Sequence, residues 1–309
     1  MTAFTSRPYT GVADLQAMID LLIAVRAAER IADYPSIVDL REMSGTPDTQ
    51  ANTRLWEDEA GQLVGFAIVD VAFSNLLFEI ASQATGRIET YVIAWGVEPI
   101  RQARRDHGQP LTLDTSCHDD NTERMALRER HGFVPQEAST LLMIRPLNEP
   151  IPTPHVPAGF AIRHVVGENE VEAYVALHHA AFGTEHMTIE HRLAMMRAPE
   201  YDPALDLIAV APDGTFAAFC MCHISQQENA QPGRNEGWTD PVGTRPEFRR
   251  RGLARALLLT GFHLLKQRGV ETAMLSVSSE NTAGRRAFAS VGFHKQSTKI
   301  SFAKQVREH

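Results

Sequence analysis

The greatest concentration of reactive side chains lies between Val242 and Leu257, where a predicted strand gives way to a predicted helix. Four basic residues cluster around the predicted start of the helix, namely Arg249, Arg250, Arg251 and Arg255. Gly252 stands at the predicted start of the helix, where a glycine lets the backbone approach a ligand closely. The unpaired N–H groups and the positive dipole of a helix start attract anions. Because the chain as a whole has a net charge of −8, this local reversal of sign predicts a site for a polyphosphate ligand.

Two well-known phosphate-binding patterns are absent from the sequence. It contains no G-x-x-x-x-G-K-[ST], which excludes a P-loop. It also contains no G-x-G-x-x-G after a strand, which argues against a dinucleotide-binding fold. The anion site predicted at Gly252 is therefore of another type.

The elements that must position this loop can be predicted from hydrophobic periodicity. Trp238–Thr244 is predicted to be a strand, Gly252–Arg268 an amphipathic helix ended by Gly269, and Ala273–Val277 a second strand. Pro241 lies inside the first of these strands, and proline in a strand belongs at an edge or a bulge. The loop is therefore expected beside an irregular edge strand.

The rest of the chain mixes helices and strands in both halves. In the second half we predict a strand over Gly159–Val165, helices over Glu170–Phe182 and Thr188–Arg197, and a hairpin of Leu207–Ala211 with Phe216–Ile224. In the first half we predict helices over Val12–Ala32 and Ile88–Asp106, a hairpin around Glu59–Gly61, and strands over Leu76–Ile80 and Leu111–Thr115. This mixture predicts an α/β or α+β architecture for each half.

A proline-rich segment divides the chain near its midpoint, with prolines at 150, 152, 154 and 157. Such spacing favours an extended connector. A repeat supports the division, because Asn-Thr and Gly-Phe recur with a constant offset of 160 in Asn121–Phe133 and Asn281–Phe293, each followed by a predicted strand. We therefore predict a duplicated domain over 1–147, a linker over 148–157 and a second domain over 158–309.

Composition excludes several classes of protein. The 309 residues are 43% hydrophobic and 22% charged, which is ordinary for a globular protein with room for two domains. The acidic balance argues against a nucleic-acid partner, and the apolar runs are too short to cross a membrane. Three cysteines make neither a disulfide framework nor a metal site, so Cys220 and Cys222 are expected to be a reduced core pair. We expect a cytoplasmic protein, a monomer or homodimer, without a bound metal.

The loop Arg249-Arg-Arg-Gly252-Leu-Ala254 resembles the acyl-coenzyme A loop R/Q-x-x-G-x-G/A of the GNAT acyltransferase superfamily. The preceding Val-Gly-Thr-Arg-Pro, the helix that follows and the later Asn281…Gly292-Phe293 strengthen the resemblance. Residues of about 157–305 are thus similar to a complete GNAT domain. The resemblance implies two tandem GNAT-like domains, each with a mixed, mostly antiparallel sheet flanked by helices and containing a parallel strand pair that splays apart.

The family resemblance also implies acetyl-CoA as the cofactor and assigns residues to it. The backbone around Val242, Gly243 and Thr244 would hold the pantetheine, and Asn281 would reach the same arm. The loop would hold the pyrophosphate. The residues expected to bind the cofactor are Val242, Gly243, Thr244, Arg249, Arg250, Arg251, Gly252, Leu253, Ala254, Arg255, Asn281, Arg285 and Phe288.

Acyl transfer to an amine requires a base, because an ammonium has no lone pair to attack a thioester. Period-two alternation places Glu236, Trp238, Asp240 and Val242 on one face of the strand, although a bulge at Pro241 would move Val242. Glu236 and Asp240 are therefore both candidate bases. Many family members carry a tyrosine in the last helix that protonates the leaving thiolate, and Phe288 stands at that position here.

The first half has only a remnant of the loop, in Ser82–Ile88. Gln83 and Gly86 keep the spacing, but Ile88 replaces the small residue and Arg87 is the lone cation of the segment. We therefore interpret the first half as a degenerate GNAT domain. A tandem protein with an active second half is similar in plan to the mycothiol synthases, which acetylate an amino sugar conjugate.

The leading functional hypothesis is direct transfer of an acetyl group from acetyl-CoA to a small-molecule primary amine. The alternatives are another acyl group or an O-acceptor, and a non-catalytic acyl-CoA-binding module. Residues at the junction of two predicted helices lie where the family binds its acceptor, and Glu185 is the expected acceptor contact. Its polar neighbours are His178, His179, His186 and Glu190, which we interpret as helix-end residues rather than metal ligands.

Overall fold

The chain forms two compact units in a computed structural model that describes residues 4–26, 34–107, 112–185, 187–230 and 233–306. The first unit comprises residues 1–139 and 299–309, and the second comprises residues 140–298. Each unit contains its own sheet strands and helices and its own apolar core.

The first half contains both helices and strands. They are β1 Thr5–Pro8, α1 Val12–Val25, α2 Ile37–Met43, α3 Pro47–Ala51, β2 Thr53–Glu57, β3 Leu63–Asp70, β4 Asn75–Ile80, α4 Glu89–His107, β5 Thr112–His118, α5 Thr122–Arg130 and β6 Val134–Pro146.

The elements of the second half follow a similar order. They are β7 Ala161–His164, α6 Val171–Phe182, α7 Ile189–Met196, β8 Asp206–Val210, β9 Phe216–Met221, α8 Gln226–Asn229, β10 Glu236–Trp238, β11 Val242–Thr244, α9 Leu253–Gln267, β12 Thr272–Ser278, α10 Thr282–Ala289 and β13 His294–Gln305.

The first unit is built on a mixed sheet. β1 to β4 form an antiparallel meander, β4 and β5 run parallel, and β13 pairs antiparallel with β5. The parallel contact is confined to Asn75 opposite Asp114, so β4 and β5 diverge after it. The six central residues of β3 are all buried, and apolar residues such as Phe66 of β3 and Leu22 of α1 are fully buried in the core of this unit.

The second unit has two groups of strands. β7, β8, β9 and β11 form an antiparallel sheet, while β12 pairs antiparallel with β6 and parallel with β10. The amphipathic helix α9 packs its buried face, with Leu257 and Phe262, into one core cluster. Helix α6 packs on the other face of β8 and β9 in a second cluster around Tyr174 and Phe219.

Each half of the chain contributes its last strand to the unit formed mainly by the other half. Residue Ile144 of β6 lies opposite Met274 of β12, and Phe302 of β13 lies opposite Thr115 of β5. The sequence domains at 1–147 and 158–309 remain a prediction, whereas the compact units divide the chain at 139 and 298 because of this exchange.

The fold class predicted from the sequence is confirmed, and so is the repeated helix pattern. The Asn121 side chain accepts a hydrogen bond of 3.1 Å from the N–H of Arg124, and the Asn281 side chain accepts one of 2.8 Å from the N–H of Gly284. Both helices are thus N-capped by asparagine. Gly292, after the second of them, has the left-handed φ of 98° that favours glycine.

Two predicted elements need correction, and a third is described only in part. The strand predicted over Trp238–Thr244 is two strands, β10 and β11, because the backbone changes partner between them. The helix predicted over Val12–Ala32 ends at Val25, and residues 27–33 lie outside the described residues. The strand predicted from Leu111 is described only from Thr112 onward.

Candidate active site

The predicted splayed strand pair is formed by β10, β11 and β12. Trp238 of β10 lies opposite Met274 of β12, and the N–H of Thr239 still donates to the carbonyl of Met274 at 2.9 Å. From Val242 the chain instead pairs with β9, where Val242 lies opposite Cys220. The parallel pair therefore opens after Thr239 into a wedge between β11 and β12.

The side chains change faces at the mouth of this wedge. Gly237 faces α9 closely enough that an added Cβ would lie 2.7 Å from a methyl group of Leu265. Val242 packs against the same core cluster, whereas Gly243 lies under Phe219 and Ala181 on the other face. Simple period-two alternation would place Val242 on the face opposite Gly237, so the irregularity expected at Pro241 does move Val242.

Asp240 lies at the point where the strands separate. Its Oδ2 accepts a hydrogen bond of 3.1 Å from the backbone N–H of Ser276 in β12. The carboxylate thus takes the place of a backbone acceptor that β10 no longer provides, and the side chain is partly exposed. A carboxylate in this position can accept a proton at the apex of the wedge.

Glu236 lies at the other end of β10 in a charged cluster. Its carboxylate pairs with Arg234, which also pairs with the nearly buried Glu228. Asp240 follows Glu236 by four positions, which in extended chain is a span of about 13 Å. The two candidate bases therefore do not converge on one reacting atom, and Glu236 already has a guanidinium partner.

The glycine of the predicted anion loop has the conformation that the loop requires. Gly252 has a φ of 86° and is the N-cap residue of α9, which no side chain among the described residues caps. Arg250, two residues earlier, is also left-handed with a φ of 60°. The chain thus turns sharply into α9, whose first N–H groups lie at an exposed helix start, as an anion site needs.

Two arginines of the loop contact other parts of the protein. Arg249 donates to the carbonyls of Thr244 and Ala181 at 3.2 and 3.0 Å, and its guanidinium therefore fixes the loop to β11 and α6. Arg251 lies over the rings of Phe160 and Phe248, at 5.9 and 5.5 Å from their centres.

The other two arginines differ from each other. Arg255 donates to the carbonyl of Ser290 after α10 and to its hydroxyl at 3.3 Å. Arg250 is exposed at the tip of the loop. Arg245 was not predicted as functional, and it anchors the loop by donating to the carbonyl of Phe216 at 2.9 Å.

The predicted cofactor residues at the start of α10 and within it have different surroundings. Asn281 is exposed at the N-cap, and Arg285 donates to the carbonyl of Ser279 at 2.9 Å in the preceding turn. Phe288 is 9% exposed and packs edge-on against Phe293 at 6.2 Å. The ring of Phe288 is therefore mostly a core group, and it carries no hydroxyl to donate a proton.

The acceptor side predicted at the junction of α6 and α7 is aromatic. His178 stacks on Phe219 with ring centres 5.8 Å apart and also contacts Phe182. Burial lowers the pKa of His178 to about 4, so the imidazole is neutral near pH 7. Glu185 is exposed after α6, and His186 lies outside the described residues.

The neighbouring polar residues at this junction form hydrogen bonds that stabilise the ends of the helices. His179 forms a 2.7 Å hydrogen bond with the carbonyl of Met187. The Thr188 hydroxyl accepts a hydrogen bond from the N–H of His191 and so caps α7 at the start of the predicted helix. Within the described ranges, no group of three His, Cys, Asp or Glu side chains is placed to hold a metal ion.

A buried charged network beneath α7 was missed by the sequence analysis. Arg192 and Asp206 form an ion pair whose side chains are both 0% exposed. The Tyr201 hydroxyl donates to Asp206 at 2.6 Å, and the Arg192 guanidinium lies 3.8 Å from the centre of the Tyr174 ring. Burial raises the pKa of Tyr174 well above its usual value. The sequence signal was one arginine on the apolar side of a helix, which alone cannot identify its partner.

Comparison with known proteins agrees with this geometry. Residues 171–293 match the model of the acetyltransferase (GNAT) family. A mycothiol acetyltransferase of Thermobispora bispora is 33% identical over 57% of the chain and 61% of the relative, so this alignment spans about three fifths of the relative's length. A mycothiol acetyltransferase of Saccharomonospora viridis is 25% identical over 89% of the chain and 95% of that protein.

Two solved structures extend the similarity over nearly the whole chain. A GCN5-related N-acetyltransferase from Sphaerobacter thermophilus superimposes with a TM-score of 0.71 at 26% identity, covering 99% of this chain and 96% of that one. A tandem GNAT protein from the clavulanic acid biosynthesis pathway gives a TM-score of 0.70 at 14% identity, with 100% of both chains covered. At that identity the second likeness concerns the fold alone.

None of the helices in the described part of the chain has the length and apolar character needed to span a membrane.

Proposed function

We propose that this chain transfers an acetyl group from acetyl-CoA to the primary amine of a small molecule by direct attack, and that residues 171–293, which match the GNAT family model, form its acetyltransferase domain. The observation that carries the proposal is the wedge between β11 and β12, with Asp240 at its apex and the start of α9 beyond it. An open strand edge, a carboxylate and a helix N-terminus are thus supplied by consecutive segments of the chain.

The chain's residues suit an extended cofactor that ends in a pyrophosphate. One edge of β11 pairs with β9, so the edge around Val242 and Thr244 is left for amide groups of pantetheine. The N–H groups at Gly252, Leu253 and Ala254 would hold the pyrophosphate, because a helix start attracts anions and Gly252 adds no side chain. The cofactor supplies an activated thioester to this site.

We assign the cationic side chains of the loop to two roles. Arg249, Arg251 and Arg255 hold the loop and α10 in place through their contacts with Ala181, Phe248 and Ser290. Arg250, which is exposed, would contact the phosphates of the cofactor directly. Asn281 and Arg285, at the start of α10, would reach the pantetheine arm from the other side of the wedge.

We assign the role of base to Asp240. The amine must lose a proton before it attacks, and Asp240 accepts that proton at the apex, directly or through a water molecule. The hydrogen bond from Ser276 fixes the carboxylate in place. Glu236 is less suitable because Arg234 pairs with it and because it lies about 13 Å further along the strand.

Protonation of the leaving thiolate does not come from the residue at the usual tyrosine position. Phe288 has no hydroxyl and is largely buried against Phe293. Ser276 and Ser278 are exposed on β12, at the open side of the wedge. We infer that the thiolate takes its proton from water or from one of these hydroxyls.

The acceptor is proposed from the relatives and from the charge around the wedge. Two relatives are named mycothiol acetyltransferases, which makes amino sugar conjugates the first acceptors to assay. Glu185 would attract the ammonium form of such an acceptor before it is deprotonated.

The function can be tested by measuring CoA release with a thiol reagent over a panel of amino sugars, amino sugar conjugates, aminoglycosides and polyamines. We expect amine-dependent release and an acetylated product detected by mass spectrometry. CoA binding without turnover on any amine would overturn the enzymatic proposal. That result would favour a non-catalytic acyl-CoA-binding module, a reading for which the phenylalanine at position 288 is the specific observation.

A further inference from the structure

The first unit contains a cleft of its own between β4 and β5. These strands pair at Asn75 and Asp114 and then separate, which leaves a cleft of about 310 Å³. Its walls come from β4, β5, α2 and α5 and include apolar, cationic and acidic side chains. All its lining residues belong to the first unit. A cleft of this volume is at the small end of ligand sites in proteins.

An ion pair crosses from α5 to β4 in this cleft. Arg124 binds the carboxylate of Glu79 through both terminal nitrogens, at 3.0 and 2.5 Å, and Glu79 is 3% exposed. The repeat offset of 160 places Gly284, which has no side chain, at the matching position of the second unit. The Arg124–Glu79 ion pair thus takes up space in the first cleft, at a position where the second unit has no side chain.

The first unit also lacks a cationic loop after β4. Gly86 keeps a left-handed φ of 79°, but Arg87 is the one basic residue between Ser82 and Ile88. Ile88, which replaces the small residue of the loop, is fully buried, so its side chain does not take up space where a pyrophosphate would bind. The missing charge, rather than Ile88, distinguishes this loop from the loop of the second unit.

Arg128 is the most buried of the three cationic residues that line the cleft. It is 3% exposed and lies 5.6 Å from the centre of the Phe78 ring. Its terminal nitrogens donate to the carbonyls of Ser116 and Arg124 at 2.7 and 2.9 Å, while Nε has no hydrogen-bond partner among the described residues. Two of the donors therefore meet neutral carbonyls, and none of the ion pairs between described residues includes Arg128.

A buried guanidinium without a carboxylate is unfavourable. Burial lowers the pKa of Arg128 to about 10, which still leaves it charged at neutral pH. The nearby carboxylate that opposes this effect is Glu79, and Glu79 already binds Arg124. Burying a cation is costly unless an anion faces it, so an anion from outside the chain would complete the site.

We propose that the cleft between β4 and β5 binds a small organic carboxylate, with its carboxylate on Arg128 and its hydrocarbon part against Leu77, Phe78 and Met43. A guanidinium matches a carboxylate in geometry and charge, and the Nη1 of Arg128 has a second N–H besides the one that it donates to Arg124. The apolar walls favour a hydrocarbon body over a bare inorganic anion. Lys299 adds a second positive charge to the lining, opposed by Asp39.

The test is calorimetric titration of the full chain with benzoate and butyrate, each compared with the neutral benzamide and butyramide. We expect one carboxylate site per chain, little or no binding of the amides, and the same dissociation constant with and without saturating CoA. Arg128→Gln is expected to weaken carboxylate binding at least about tenfold, a loss of about 1.4 kcal/mol. Arg130→Gln, on an exposed residue of the same helix, is the matched control and is expected to change nothing.

A second variant keeps the test decisive if Arg128→Gln does not fold. Leu77→Trp would fill the cleft from its partly exposed wall without removing a charge, and it is expected to abolish binding as well. Equal binding of benzoate and benzamide would overturn the proposal. So would competition by CoA, unchanged binding in Leu77→Trp, or binding of inorganic phosphate in place of the carboxylates.

Discussion

Asp240 Oδ2 accepts a hydrogen bond of 3.1 Å from the backbone N–H of Ser276, and this bond joins two strands at the point where their own pairing ends. The carboxylate satisfies a backbone donor that the separating strand no longer reaches. The same bond holds the carboxylate at the place where the two strands separate. Asp240 is thus both a part of the strand junction and the proposed base.

Replacing Asp240 with asparagine tests its role as base. The amide oxygen can still accept the hydrogen bond from Ser276, but an amide cannot take a proton from the amine. We therefore expect kcat to fall by about 100-fold or more, as for loss of a general base. The dissociation constant for CoA should stay the same. Steady-state CoA release and calorimetry with CoA measure the two quantities.

Glu236→Gln is the matched control for this prediction. Glu236 pairs with Arg234 and lies at the far end of β10, so its loss is expected to reduce kcat less than tenfold, while Glu228 keeps its own contact with Arg234. A large loss of rate in Glu236→Gln with normal rates in Asp240→Asn would reverse the assignment of the base.

Gly252 and Gly269 provide a matched pair at the two ends of α9. Both are left-handed, with φ of 86° and 82°, and an added Cβ would meet no atom within 4 Å at either. Valine at each position is expected to lower the free energy of unfolding by about 1–2 kcal/mol. Gly252→Val alone should weaken CoA binding, by about tenfold or more. Equal CoA affinity in the two variants would contradict the anion loop.

Replacing Arg250 with glycine tests two properties of this residue, its strained backbone and its charge. Glycine relieves the left-handed strain at a φ of 60°, so Arg250→Gly is expected to raise the free energy of unfolding by up to about 1 kcal/mol. The same change removes the exposed cation from the loop. CoA affinity should fall severalfold, and less at high salt because surface charges are screened. Thermal unfolding and calorimetry at two salt concentrations check this, and unchanged affinity would remove Arg250 from the cofactor site.

Breaking the buried ion pair under α7 should be costly. Arg192→Met leaves Asp206 buried beside Tyr201 without its cation, and a loss of about 3–5 kcal/mol is expected. The double variant Arg192→Met, Asp206→Leu should regain most of that loss, since no unpaired charge remains. Urea unfolding measures both. A single variant as stable as the wild type would show that the pair is not needed to hold α7.

His178 should make stability depend on pH. Its pKa is about 4 in the folded chain against an ordinary value of 6.5, because burial disfavours the charged ring. The unfolded chain therefore binds the extra proton between pH 6.5 and 4, and the free energy of unfolding falls as the pH is lowered through this range. His178→Phe keeps an aromatic ring on Phe219 and should flatten the profile.

The control for this profile is His294→Gln, at an exposed position at the start of β13. Urea unfolding between pH 7 and 4 compares the variants with the wild type. A His178→Phe profile parallel to that of the wild type would show that other groups account for the acid sensitivity.

Several features could be predicted from local sequence. The asparagine caps of α5 and α10, the threonine cap of α7 and the glycine at the start of α9 depend on hydrogen bonds and backbone angles within three or four residues. The family loop and the splayed strands follow from the same short segments. For this reason the sequence predicted the type of site and the fold class.

Other features depend on partners far away in the chain. Arg249 reaches the carbonyl of Ala181, which is 68 residues earlier, so its anchoring role could not be read from the arginine run. The order of the strands could not be predicted either, because β6 and β13 end two similar halves and the same alternating pattern suits both partners.

The sequence by itself determined that the chain holds two related halves and that one of them has a basic glycine loop at a helix start. Tertiary structure decided which arginines are anchored, which acid stands at the strand opening and which strand completes each unit. The physical reason is how far apart along the chain the interacting residues lie. Caps and turns are fixed by neighbours along the chain, whereas ion pairs, buried charges and strand partners are selected by what the folded chain brings together.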